Sequence, residues 1–135
     1  MSLIVDASVV VAYLNPGDVH HGRAMAWFRG LVIDEQPLTA PMILLPEVAS
    51  GLQRASIDRE SIFEGMQLLV DERQVALVAV TRPIAQRAAA LVAELGLRGC
   101  DAVYVALAEQ RGEPLVSLDR RQVERAREVI EAREL

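Results

Sequence analysis

The chain has no lysine; all fourteen of its basic residues are arginine. A GC-rich genome accounts for such a bias before function does, although arginine's planar fork is well matched to bidentate phosphate contact. Aromatic residues are few, namely Tyr13, Trp27, Phe28, Phe63 and Tyr104, which excludes a row of aromatics for stacking bases. Cysteine occurs once, at Cys100, so there is no disulfide framework, and the count fits a reducing, cytoplasmic compartment. Long apolar runs are missing as well. Arg54, Asp58, Asp71 and similar residues interrupt every stretch well short of the ~20 residues of a membrane span. The opening MSLIVDASVV has too short an apolar run, and no basic flank, for a secretory signal. Repeats, linkers and low-complexity segments are absent, so nothing divides the chain.

What remains is a 135-residue sequence with 52% hydrophobic and 24% charged residues. That composition describes one domain over residues 1–135, of a size that buries roughly 70% of the surface its unfolded chain exposes and needs no staple. Nineteen acidic residues against fourteen basic ones give a net charge of -5, which on its face speaks against a nucleic-acid binder.

The apolar pattern alternates between short runs and helical spacing. Leu3–Val5 reads as a strand, and ASVVVAYL after Asp6 reads as a helix broken by Asn15-Pro16-Gly17. An amphipathic helix follows over 19–30, then a short strand over 37–40. MILLPEVASGLQR is a helix with Pro46 in its first turn, and DRESIFEGMQLLVDE, residues 58–72, is another with Asp58 as N-cap. A strand over 75–80, a helix over 84–95 closed by Gly96, a helix between Gly99 and Gly112, a buried strand over 114–118 and a helix over 120–127 complete the series. The tail VIEAREL fits an edge strand carrying Val129, Ile130 and Ala132, or an extension of the preceding helix; the strand is preferred. Alternation of this kind predicts an α/β fold with a mostly parallel sheet covered on both faces. In such sheets the site lies beyond the carboxyl ends of the strands.

Four acids stand at those places. Asp6 and Asp119 each directly follow a strand, so both belong at one edge of the sheet. Asp101 opens a helix whose inward positions are Tyr104, Val105 and Ala108, and so shares its buried face. Glu47 lies among apolar neighbours in ILLPEVA and should have a partner. Taken singly, each Asp is explained as a helix N-cap, and Glu47 as an ion-paired helix residue, with Arg54 as the candidate cation. Taken together, four carboxylates at one edge require something cationic, for which Mg²⁺ or Mn²⁺ with oxygen ligands is the natural choice. With these four neutralised, fifteen acids oppose fourteen arginines, a net of -1, and the objection to a phosphate backbone falls away.

The segments VDASVVVAYL, LPEVASGL, GCDAVYVALAEQRG and LVSLDRR resemble, in order and spacing, the PIN-domain ribonucleases, especially the toxin halves of VapBC-type toxin–antitoxin pairs. The resemblance spans nearly the whole chain. It implies a three-layer α/β/α sandwich around a central sheet of about five strands, and a metal-dependent endoribonuclease that hydrolyses RNA. It also implies that Asp6, Glu47, Asp101 and Asp119 are the metal-binding and catalytic acids, with Mg²⁺ (or Mn²⁺) as cofactor. Ser8 and Ser117 occupy places where the family often has a small hydroxyl residue supporting the acids, with threonine frequent at the second. The implied partners are an RNA substrate, a cognate antitoxin and a second copy of the chain, with no membrane.

Other readings are weaker. A catalytically silent PIN-like module that acts through a protein partner would lack some of the acids, and all four are present. A phosphoryl-aspartate enzyme of the haloacid-dehalogenase pattern would use Asp6 but needs a second Asp where Ser8 stands. His20 and His21 are adjacent on a helix and so share no face; they read as solvent-exposed. Cys100 reads as a small buried packing residue. Trp27, Phe28, Met66, Leu68 and Leu69 are more apolar surface than a short chain need bury, and mark a dimer interface or the core.

Overall fold

The computed structural model describes residues 1–71 and 74–135. Strand β1 (Leu3–Val5) runs directly into helix α1 (Ala7–Leu14), followed by α2 (His21–Ile33) and β2 (Leu38–Pro41). Helices α3 (Leu44–Arg54) and α4 (Arg59–Val70) lead to β3 (Val75–Val78), α5 (Arg82–Leu95) and α6 (Gly99–Arg111). The chain ends with β4 (Leu115–Ser117), α7 (Arg120–Ala126) and β5 (Ala132–Glu134). The strands form one all-parallel sheet in the order β3-β2-β1-β4-β5, the centre of a three-layer α/β/α sandwich. From β1 the chain steps outward through β2 to β3, then returns to the other side of β1 for β4 and β5. The reversal between β1 and β4 places the ligand crevice beyond Val5 and Ser117.

The inner strands are buried on both faces. Every residue of β1, β2 and β4 is enclosed, which is why they read as continuous apolar runs and not as alternating ones. The edge strand β5 instead exposes Arg133 and Glu134. Helix α1 contains three consecutive valines, which cost helix propensity; burial of Ala7, Val9, Val10 and Ala12 offsets that cost. Helix α6 is enclosed on nearly all sides, with Ala102, Ala106 and Leu107 buried along with the expected Tyr104, Val105 and Ala108. It packs along α5 and over β1, β2 and β4, so the single inward stripe read from the sequence is too narrow.

Several boundaries differ for local reasons. The second helix starts at His21, not Val19, because Asn15 and Asp18 form turns in which Gly17 N–H donates to Asn15 Oδ1 at 3.0 Å and His20 N–H to Asp18 Oδ1 at 2.8 Å. It runs on past Gly30 to Ile33. Strand β3 stops at Val78, not Val80, since its neighbour β2 ends at the paired Pro41. Strand β4 stops at Ser117 because the Leu118 N–H leaves the ladder to donate to Ser8 Oγ at 3.0 Å. Val129 and Ile130 are not in the last strand: both N–H groups donate to the Ala126 carbonyl, and β5 begins at Ala132, paired with Leu115. Helix α4 has Asp58 as its N-cap, donated to by Ser61 N–H at 3.0 Å; the end proposed for it at Glu72 lies outside the described residues. Among the described residues no helix is long and apolar enough to cross a membrane.

The apolar set considered for an interface divides. Phe28 and Leu69 belong to the core, Trp27 and Met66 are half-buried, and Leu68 is exposed, in company with Phe63 and Val70 on the same helix.

Candidate active site

Asp6 is the first residue after β1 and the N-cap of α1. Only 5% of it is exposed, and three side chains hold it, the neighbouring Ser8 and the distant Ser117 and Gln122. Its Oδ2 accepts from Ser8 Oγ at 2.6 Å, Ser8 N–H at 3.2 Å and Ser117 Oγ at 3.1 Å. Its Oδ1 accepts from Gln122 Nε2 at 3.4 Å. Ser117, at the end of the neighbouring β4, also lies 3.0 Å from Gln122 Oε1 and accepts from the Asp119 N–H at 2.9 Å. The two serines thus touch Asp6 and join it to the backbone of the β4–α7 turn.

Asp119 caps α7, its Oδ1 accepting from the Gln122 N–H at 3.2 Å. Asp101 is different. The N-cap position of α6 is Arg98, and Asp101 is the third residue of the helix, so capping explains Asp6 and Asp119 but not Asp101. Glu47 lies in the first turn of α3, which packs across α1. The expected ion pair with Arg54 does not form; Arg54 donates to Ser50 Oγ at 3.2 Å, one turn earlier on its own helix.

The four carboxylates share one electrostatic field. Burial pushes the Asp101 carboxyl from its ordinary 3.8 up to about 6, and the charges of Asp6, Asp119 and Glu47 push the same way against Arg98. Burial also raises Glu47, with Asp6 adding to the rise and the Tyr104 hydroxyl opposing it. Tyr104 is completely buried, and neither its hydroxyl nor Glu47 Oε1 completes a hydrogen bond. Among the described residues, Glu47 Oε1 and the Tyr104 hydroxyl thus lie unsatisfied by good hydrogen-bond geometry, although the hydroxyl is near enough to favour the charged carboxylate.

Sequence reasoning missed Gln122. It is 2% exposed and bonds to both Asp6 and Ser117; its position three residues after Asp119, on the helix that Asp119 caps, was the available signal. Two other expectations are corrected. Cys100 is exposed and not a buried packing residue, since it sits in the first turn of α6; its partial burial still raises the thiol, and Glu47 and Asp101 nearby add to the rise. His20 and His21 are half-buried and not solvent-exposed: α2 packs on α1, which brings His21 Nδ1 to 2.8 Å from the Ala12 carbonyl oxygen.

The donor set fits a hard divalent cation. All four groups offer carboxylate oxygens, the ligands that Mg²⁺ and Mn²⁺ take, and Glu47 Oε1 is a buried oxygen that accepts no hydrogen bond among the described residues. Among the described residues, no three His, Cys, Asp or Glu side chains are gathered closely enough to hold an ion as they stand. Like charges hold one another apart, and Asp6 is taken up by its serine and glutamine contacts.

The comparisons with known proteins agree with this topology. Residues 3–128 match the PIN domain family model; a comparison with curated proteins found no match. Among solved structures, VapC20 of Mycobacterium tuberculosis, described as a sarcin–ricin loop-cleaving toxin, is similar at 23% identity and a TM-score of 0.70 over 84% of this chain and 87% of that one. VapBC2 of Rickettsia felis, bound to a DNA fragment from its promoter, gives a TM-score of 0.72 at 12% identity over 100% of this chain and 99% of that one. DNA-bound VapBC of Salmonella typhimurium gives 0.70 at 14% identity, covering 99% and 98%. At such identities the structures speak for the fold, while the family match extends over most of the sequence. With the sheet reversing beside Asp6 and the match running from β1 past α7, the chain belongs to the PIN domain family.

Proposed function

We propose that this protein is a metal-dependent endoribonuclease and the toxin of a toxin–antitoxin pair. The observation that carries the reading is the gathering of Asp6, Glu47, Asp101 and Asp119 at the sheet reversal, where burial first and the neighbouring acids second raise Asp101 to about 6. Four carboxylates that destabilise one another are retained where chemistry needs them, and perturbed acids in a cleft are the usual mark of such a place. The neighbours described as an RNA-cleaving toxin and as toxin–antitoxin complexes on DNA support the biological setting.

In this reading the four acids hold Mg²⁺ or Mn²⁺. A bound ion supplies positive charge to polarise the scissile phosphate and to favour ionisation of a water. The chain's own part is to orient and to move protons. Ser8, Ser117 and Gln122 fix both oxygens of Asp6. Glu47, with its carboxyl raised by burial, would accept the proton of the attacking water.

The antitoxin would lay an apolar segment along the groove beside α3 and direct arginine toward the four acids, competing with the ion. Its binding should then weaken in high Mg²⁺ or when Asp101 is neutralised. Self-association through the exposed Phe63, Leu68 and Val70 of α4 belongs to the same reading; a monomer by light scattering at high micromolar concentration counts against it.

Incubation of the purified chain and its Asp6→Asn variant with cellular RNA, with and without Mg²⁺ or Mn²⁺, tests the proposal. Cleavage that needs the ion and vanishes in the variant is expected; cleavage retained by the variant removes the mechanism. The separation of the carboxylates favours a second reading, a silent module acting through a partner. Calorimetry showing no carboxylate-dependent Mn²⁺ binding would favour that module.

A further inference from the structure

Beside Asp101 and Asp119 lies a small cleft of about 70 Å³, lined also by Gly96, Arg98, Arg121, Gln122 and Arg125. Four arginines elsewhere pair with carboxylates: Arg87 with Glu109, Arg111 with Glu113, Arg120 with Glu134 and Arg133 with Glu131. Arg98 and Arg121 share their cleft with two acids, and the charge of Arg98 acts on Asp101, yet among the described residues neither makes an ion pair or a hydrogen bond. Arg125 is held differently. Its Nη1 donates to the carbonyl of Gly96, the left-handed residue (φ 68°) that ends α5. A Cβ at Gly96 would stand 3.3 Å from that nitrogen, so glycine serves both the turn and the approach of the arginine.

We infer that Arg98, Arg121 and Arg125 form a binding site for a backbone phosphate of single-stranded RNA, adjacent to the phosphate that the four acids address. This deepens the proposed ribonuclease function and rests on it. The two free guanidinium groups keep all their donors for a ligand, and a planar fork binds phosphate oxygens two at a time. The cleft has room for a single phosphate and not for a base, and the chain offers no aromatic row on which bases would stack. Three arginines line the cleft beside Asp101 and Asp119, so a phosphate would find cationic partners there although the protein carries -5 overall. An RNA strand entering over the start of α6 and α7 would therefore be gripped there and led across Asp101 toward Asp6.

The experiment compares Arg98→Gln, Arg121→Gln and their double variant with Arg29→Gln, the same loss of charge on α2 outside the cleft. A short single-stranded RNA of mixed sequence is the probe. Steady-state cleavage gives kcat and KM, and fluorescence anisotropy across a salt series, in an Asp6→Asn background so that the probe survives, gives affinity. Each phosphate contact contributes about 0.7 to the salt slope of a single strand. The double variant should thus bind more weakly, with a slope shallower by about 1.4, with KM raised and kcat close to unchanged. Lysine at both positions should restore part of the affinity. Unchanged melting of these surface variants will show that the fold is intact. If the parent cuts RNA and the double variant matches Arg29→Gln in affinity and slope, the phosphate site is refuted while the ribonuclease stands. Loss of kcat with KM unchanged also refutes it, by placing the arginines on the scissile group. A parent that neither binds nor cuts the probe overturns both.

Discussion

Gln122 Nε2 reaches Asp6 Oδ1 at 3.4 Å, linking residues 116 positions apart in the chain. The bond is long for an N–H···O contact, and Ser117 is the stronger link. Its single proton lies between Asp6 Oδ2 at 3.1 Å and Gln122 Oε1 at 3.0 Å, while its oxygen accepts from the Asp119 N–H. Ser117→Ala should therefore cost about 1–3 kcal/mol in urea unfolding, the range for stranding buried polar partners, and Gln122→Leu about 1 kcal/mol. The reverse ranking would mean that the glutamine, not the serine, organises Asp6.

Acidity should stabilise the ion-free protein across one window. Asp101 titrates at about 6 when folded, against an ordinary 3.8, so the folded state binds this proton more tightly than the unfolded one. The corresponding stability is fully present below about 3.8 and is lost as pH rises through about 6. Discounted for the partial exposure of the side chain, its size is about 1–2 kcal/mol. Asp101→Asn should flatten urea midpoints measured across that window in the presence of a chelator; an equal slope in the variant would assign the titration to another group.

Glu47 carries a similar tension. Its Oε1 is buried without a partner, and burial raises its carboxyl. Glu47→Gln removes the charge that burial opposes, so the ion-free protein should gain roughly 1 kcal/mol. The same variant should show a diminished heat of Mn²⁺ binding by calorimetry. A variant that is both less stable and unaltered in Mn²⁺ binding would make Glu47 an ordinary structural residue.

The approach of α3 to α1 depends on Gly51. A Cβ there would lie 2.7 Å from Val11 Cγ2, closer than side chains tolerate, and a valine cannot swing aside as a longer chain would. Gly51→Ala should cost about 1–3 kcal/mol by overpacking, less the helix propensity that alanine returns. Since α3 carries Glu47 and α1 is capped by Asp6, the same change should lower activity as well as the melting temperature. Adding Val11→Ala should restore both in part, whereas a harmless Gly51→Ala would show that the helices have room to part.

The sequence by itself determined the order of elements, the parallel sheet and the acids at its edge, because each is written locally. An apolar run ending in Asp6, another ending at Ser117 before Asp119, and Gly96 after a helical stretch need no knowledge of distant residues. Even the short β5 was legible in outline, though its start was not, since only pairing of Ala132 with Leu115 sets the register. The tertiary structure alone decided which polar groups meet. Glu47 could be read as Arg54's partner until α3 placed Arg54 beside Ser50. Cys100 could be read as buried until the fold left it exposed, and Gln122 gave no signal beyond its place three residues after Asp119. Hydrophobic periodicity records which face of an element is enclosed, but it carries no information about which side chains from other elements share that enclosure. Hydrogen bonds and charge fields act over a few ångströms in space, and in this chain the residues that Asp6 and Asp101 feel lie up to 116 positions away.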